Sequence, residues 1–288
     1  MLWFYLGLLA SMLWTLEHIV SKKVLRNQKS DYFVFATSLI SSFICLILII
    51  LFIDKLIFTK EFLISLIFVG LVNASAKILY ARSLKISAMS KTIPLLSLSP
   101  IFTVIVAFFI LSETPPKLAI LGISLSVIGV YILNISSFSL KRFFQPFINL
   151  FGDKGTLFMF LVAIIYGVGG VVDKYAVTYS SVLTYLVISR PVSLLFQFIF
   201  LGFTDRKNIL KETGNILKNS WKPLTLLAII AFAVVLFQFW AVSLTFSSYV
   251  IAIKRTGALF SVIAGYFIFR ERKDIKNIFM GTIVILIG

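Results

Sequence analysis

Cysteine and histidine are almost missing from this chain: Cys45 and His18 stand alone among 288 residues. A single cysteine excludes a disulfide framework and a thiolate metal cluster. A single histidine leaves no room for a His-based metal or triad site, and no cofactor is implied. Acidic residues are scarce as well, 11 against 27 lysines and arginines, and charged residues of both signs reach only 13%. A soluble domain carries about 25%. No G-x4-G-K-[ST] loop occurs, so nothing suggests that the chain is driven by ATP.

What fills the chain instead is apolar. Sixty per cent of the residues are hydrophobic and the mean hydropathy is +1.05. Runs of about 20 apolar residues recur along the whole length, each enough to cross ~30 Å of hydrocarbon. The chain reads as an all-α integral membrane protein. Its net charge of +16 falls mostly in short loops between apolar runs, the pattern of membrane topology rather than of a nucleic-acid surface. The first run lacks the basic start and small-residue cleavage site of a signal peptide and is read as retained.

Breakers between the runs divide the chain into about ten spans: Leu2–Val20, Tyr32–Ile53, Phe62–Ala81, Ser87–Leu111, Lys117–Ile135, Thr156–Ala176, Ser181–Phe203, Leu224–Phe246, Ser247–Phe269 and Ile275 to Gly288. The last is short of a full span. Segments also repeat in order. "ARSLKIS" from Ala81 matches "AVSLTFS" from Ala241, "FTVIVAFFILSE" ending at Glu113 matches "FSVIAGYFIFRE" ending at Glu271, and "IVSKK" from Ile19 matches "VVDKY" from Val171. Gly122 and Gly129 match Gly281 and Gly288. The halves are residues 1–138 and 156–288, joined by a basic loop at 139–155. Five spans per half is an odd number, so the second half enters the membrane inverted relative to the first. Many secondary transporters build a midplane site from such inverted repeats.

This duplicated arrangement, with each half closing on an apolar helix, a Glu and a Gly-x6-Gly helix, resembles the drug/metabolite transporter superfamily, specifically its ten-helix EamA-domain branch. The resemblance covers essentially the whole chain. It implies a secondary carrier for small metabolites, with a cavity lined by the first, third, fourth, sixth, eighth and ninth spans and with the fifth and tenth at the periphery. It also implies cytoplasmic termini, and here the charges disagree. Nineteen lysines and arginines lie in loops after odd-numbered spans, against Lys55, Lys60, Lys117 and Lys174 on the other side. The positive-inside rule therefore places both termini outside the cytoplasm, in a multi-pass protein of the cell membrane.

Four basic residues fall inside spans: Lys77, Arg190, Lys254 and Arg255. Each costs about 2.5–3.5 kcal/mol at a helix centre on insertion scales, so each must face protein or water. Lys254 shares a helical face with Gly257, Ala258 and Ser261, and the corresponding fourth span carries Ser97 between Pro94 and Pro100, which should kink it. Gly7, Ser11, Trp14, Glu17 and Ser21 share one face of the first span, bordered by His18; Tyr166, Gly169, Gly170 and Asp173 share one of the sixth; Asn73, Lys77 and Tyr80 make a stripe on the third. The expected substrate-facing set is thus Lys254, Arg255, Lys77, Asn73, Tyr80, Trp14, Tyr166, Ser97 and Ser261, with Glu17, Asp173 and His18 as proton-coupling or ion-pairing groups. The plainer alternatives are that Lys77 and Arg190 pair structurally with Glu17 and Asp173, that Glu17 and Lys77 snorkel, and that the aromatics and His18 simply pack. Arg190, beside Pro191, is expected away from the cavity.

The expected function is secondary transport of a small anionic or zwitterionic metabolite by alternating access, not enzymatic catalysis. A non-transporting membrane partner protein is the alternative; a lipid-modifying enzyme is a weaker one, since it would need His with an acidic cluster. The expected partners are a small-molecule substrate and the bilayer, with no nucleic acid.

Overall fold

The first span shows how composition becomes structure here. In the computed structural model α1 (Leu2–Leu25) turns Gly7, Ala10, Ser11, Trp14, His18 and Ser21 inward and Leu2, Tyr5, Leu9, Met12 and Leu16 outward. Both sets recur at three- and four-residue spacing, so the helix carries a small and polar stripe inside and an apolar stripe outside. That is the polarity expected where the surrounding solvent is lipid and helices meet through small residues.

The structure describes residues 2–114, 116–134, 152–205 and 208–270, with isolated positions from 280 onward. Among these, all regular structure is helical. The further elements are α2 (Ser30–Leu51), α3 (Lys60–Ile86), α4 (Met89–Thr92), a 3-10 stretch at Ile93–Leu98, α5 (Ser99–Leu111), α6 (Lys117–Asn134), α7 (Lys154–Thr178), α8 (Val182–Asp205), α9 (Ile209–Leu244), α10 (Ser247–Arg255) and α11 (Gly257–Phe269). Six are long and apolar enough to cross a membrane: α1, α2, α3, α7, α8 and α9. Side-chain caps start two of them, Thr59 accepting from the Phe62 N–H and Asp153 from the Gly155 N–H.

The fourth and ninth expected spans are not continuous helices. Pro94 and Pro100 remove two N–H donors from the fourth, which runs as α4, the 3-10 stretch and α5. The ninth breaks at Thr256 between α10 and α11. α5 and α11 end alike, each in a left-handed residue, Ser112 (φ 53°) and Arg270 (φ 57°); after Ser112 the Glu113 N–H returns to Ala107 O, and the cap of α11 returns to Gly265 O. The eighth span is longer than expected. α9 begins at Ile209, bends at Ser220 (φ −135°, ψ 22°) just before Pro223, and turns Ile209, Thr213 and Ile216 inward, so Asn215 is an exposed helical residue and not part of a loop. Most of the connecting loop and of the tenth span lies outside the described residues.

Two apolar clusters close the bundle, one at each end. The first gathers Leu25, Phe33, Leu84, Met89, Met159, Ile209 and Leu224 at the end carrying the basic loops. The second gathers Leu6, Phe62, Val69, Val177, Tyr185, Val242 and Val250 at the opposite end. Among the described side chains α6 contributes to neither cluster; it packs chiefly on the 3-10 stretch.

Candidate functional site

Between the two apolar clusters lies a cavity of about 180 Å³, walled by α1, α2, α3, α7, α8, α9 and α10. It collects the polar stripes read from the sequence: Trp14, Glu17, His18, Asn73, Lys77, Tyr80, Tyr166, Asp173 and Lys254 all line it. Each stripe arrives there because the opposite face of its helix is apolar.

The charged groups are held at distinct points. Lys254 Nζ donates to Gln238 Oε1 and lies 4.9 Å from the centroid of the Trp14 ring, an attraction between a cation and the electron-rich ring face. Trp14 meets the His18 ring edge-on with centroids 4.2 Å apart, and His18 Nδ1 is hydrogen-bonded to the Tyr80 hydroxyl. Lys77 Nζ donates to Ser38 Oγ (3.4 Å) and Arg190 Nη2 to the Ala231 carbonyl (2.9 Å). Asp173 accepts from Asn73 Nδ2 (3.4 Å), and Tyr185 lines the cavity with it. Glu17 sits in the combined field of Arg190, Lys254 and Lys77. Neither Glu17 nor Asp173 forms a close ion pair with Lys77 or Arg190. The described cavity thus holds three cations against two carboxylates, with polar atoms left facing the open space.

Several expectations change. Arg190 lines the cavity, although Pro191 follows it, because the proline does not divert α8: the helix runs on from Val182 to Asp205. The second and seventh spans contribute a whole wall, Thr37, Ser38 and Ser41 from α2 with Tyr185, Ser189, Arg190 and Ser193 from α8. The signal was present in the sequence, since Ser38 and Ser41 have the same spacing as Arg190 and Ser193 within apolar runs. The fourth span contributes no described wall residue. Its α5 lies against α7 instead, where Gly167 lets the Ser99 carbonyl approach. Ser261 is buried but away from the cavity. The side chains of Ser97 and Arg255 lie outside the described residues.

Cys45 is buried in α2, with Sγ 3.8 Å from the Leu186 carbonyl. Among the described residues, no three His, Cys, Asp or Glu side chains come together as a metal site needs. The arrangement can hold a small polar solute by charge and hydrogen bonds.

Compared with known families, the chain is matched by the model of the EamA-like transporter family over residues 1–135 and again over residues 153–288. No curated protein matches it.

Proposed function

The chain belongs to the EamA-like transporter family, and from that premise we propose that it carries a small anionic or zwitterionic metabolite through the central cavity by alternating access. Transport of small molecules across a membrane is the family's activity. The observation that supports the narrower reading is the charge around the cavity, with Lys77, Arg190 and Lys254 outnumbering Glu17 and Asp173. An excess of cations over carboxylates in a dry cavity would be too costly, so this one is hydrated or holds a counter-anion. In this reading Lys254, Lys77, Asn73, Tyr80, Trp14 and Tyr166 contact the substrate. Glu17 and Asp173 balance the charge.

The proposed framework is ten spans in two inverted halves, residues 1–138 and 156–288. Repeated halves of opposite orientation give a site that can open to either side in turn. A thermal-shift screen on purified protein tests the substrate class. Carboxylates, phosphate esters or amino acids are expected to raise the Tm, because a ligand that binds only the folded state stabilises it by mass action. A rise with organic cations alone would overturn the reading.

The basic loops are proposed to face the cytoplasm, which would put both chain termini outside it in a protein of the cell membrane. With Cys45 replaced by serine, a cysteine at the exposed Asn215 is expected to resist membrane-impermeant thiol reagents in intact cells and to react in inverted vesicles. Ready labelling in intact cells would turn the protein over.

A further inference from the structure

Glu113 is a buried carboxylate that the cavity does not use. It follows the left-handed residue Ser112 at the end of α5, is 7% exposed, and its N–H is anchored on Ala107 O (3.2 Å). Lys174 Nζ, near the end of α7, lies 2.6 Å from its Oε1, and Ser247 Oγ, opening α10, donates to its Oε2 (2.9 Å). The lysine gives its aligned hydrogen bond to Thr245 O (2.7 Å) in the turn between α9 and α10. Its meeting with Glu113 is one of charge. One carboxylate therefore ties the ends of α5 and α7 to the start of α10.

We propose that Glu113 and Lys174 form a latch that holds the cavity shut at the end opposite the basic loops, and that opening toward that side parts them. The proposal rests on the transporter reading above. Two of the tied elements are cavity walls. Asp173, which lines the cavity, is the residue before Lys174, and Lys254 lies two helical turns beyond Ser247. A displacement of either wall is carried directly into the latch.

The location also suits a pair that must open. It sits at the end of the bundle, so the parted charges meet water, whereas charges parted in hydrocarbon would have no solvation to replace the contact. The sequence repeat sets Lys22 opposite Lys174 and Ser87 opposite Ser247. Lys22 Nζ donates to Ser87 O (3.2 Å) at the basic end, the equivalent lysine-to-turn contact. A lysine docked on the turn preceding the broken span is thus built at both ends, as alternate opening of the two ends requires.

The test reads access to the cavity and needs no substrate, so it stands or falls separately from the substrate screen. In a Cys45→Ser background, Ile251→Cys reports from the cavity wall, where Ile251 is buried. A separate Lys55→Cys protein marks the side on which the opposite end lies. A membrane-impermeant thiol reagent is applied to intact cells and to inverted vesicles. Glu113→Gln is expected to speed labelling of the reporter about tenfold from the Lys55 side alone, as removal of a charge pair that favours one state shifts its population. Ser247→Ala, which deletes one charge-assisted hydrogen bond but leaves the Glu113–Lys174 pair, should give a smaller rise, about threefold. The exchanged pair Glu113→Lys with Lys174→Glu should return labelling toward the parental rate. If Glu113→Gln does not fold, the other two variants decide. No rise in the folded variants, an equal rise from both sides, or no recovery in the exchanged pair would overturn the latch.

Discussion

Alanine at Gly167 is expected to destabilise the protein by about 3 kcal/mol, at the upper end of the range for overpacking. A Cβ there would stand 2.4 Å from Phe102 Cβ, 2.9 Å from Ser99 O and 3.2 Å from Thr103 N. Two of those three atoms are backbone, so α5 and α7 must separate along the crossing before the methyl fits. Gly257 makes the corresponding approach of α11 to α1, where a Cβ would meet Ser11 O at 3.0 Å and Thr15 Oγ1 at 3.1 Å. Its replacement should cost less, about 1–2 kcal/mol, because a hydroxyl can turn aside and the overlaps are smaller. At Gly202 nothing lies within 4 Å. Alanine there should be neutral or stabilise slightly, since glycine weakens a helix interior by roughly 0.5–1 kcal/mol relative to alanine. Unfolding midpoints of the three variants in one detergent give the order directly. Equal midpoints for Gly167→Ala and Gly202→Ala would mean that α5 and α7 do not cross so closely.

Lys254→Gln is expected to weaken anion binding about 10- to 100-fold while leaving the empty protein folded. Hydrogen bonds to charged groups contribute roughly 1.5–3 kcal/mol, which converts to a loss of this size. The substitution removes the charge over Trp14 and the donor to Gln238, but leaves the packing of α10 at Val250 and Ile251 intact. Arg255→Gln is the companion change, since arginine offers a fork for carboxylate or phosphate where lysine offers a compact charge. The measurement is the Tm shift produced by the anion that acts most strongly on the parental protein. An unchanged shift would remove Lys254 from the site. A collapse of the ligand-free protein would make the cation structural, as losing one partner of a buried pair does.

The class of the protein and much of the cavity's polar lining were legible in the residues. A chain with 13% charged residues and recurrent apolar runs has no stable form in water. In lipid every backbone group must be bonded within the chain, which leaves helices as the answer for runs of this length. Glu17, Asn73, Lys77, Asp173 and Lys254 could be picked out because a polar group in such a helix must turn toward protein or water, and helical spacing says which neighbours turn with it. The repeated endings at Glu113 and Glu271 could be matched for the same local reason: one helix terminator, used twice.

Tertiary structure decided which stripes face one another. Arg190, with Ser189 and Ser193, was legible as a polar stripe on α8, but whether it met the cavity depended on how α8 packs beside α9, where the Ala231 carbonyl receives it. The close crossings show the same limit. At one, the glycine is Gly167 on α7 facing Ser99 on α5; at the other it is Gly257 on α11 facing Thr15 on α1. The small residue has moved to the opposite partner, so comparing the halves helix by helix shows no shared glycine at these crossings. Only the distance between two backbones demands it, and that distance exists only once both helices are in place. Local hydrogen bonding and solvent polarity are properties of a segment and can be read along it. Contact between segments is settled by the shapes of two surfaces together, and the cavity is what those shapes leave unfilled.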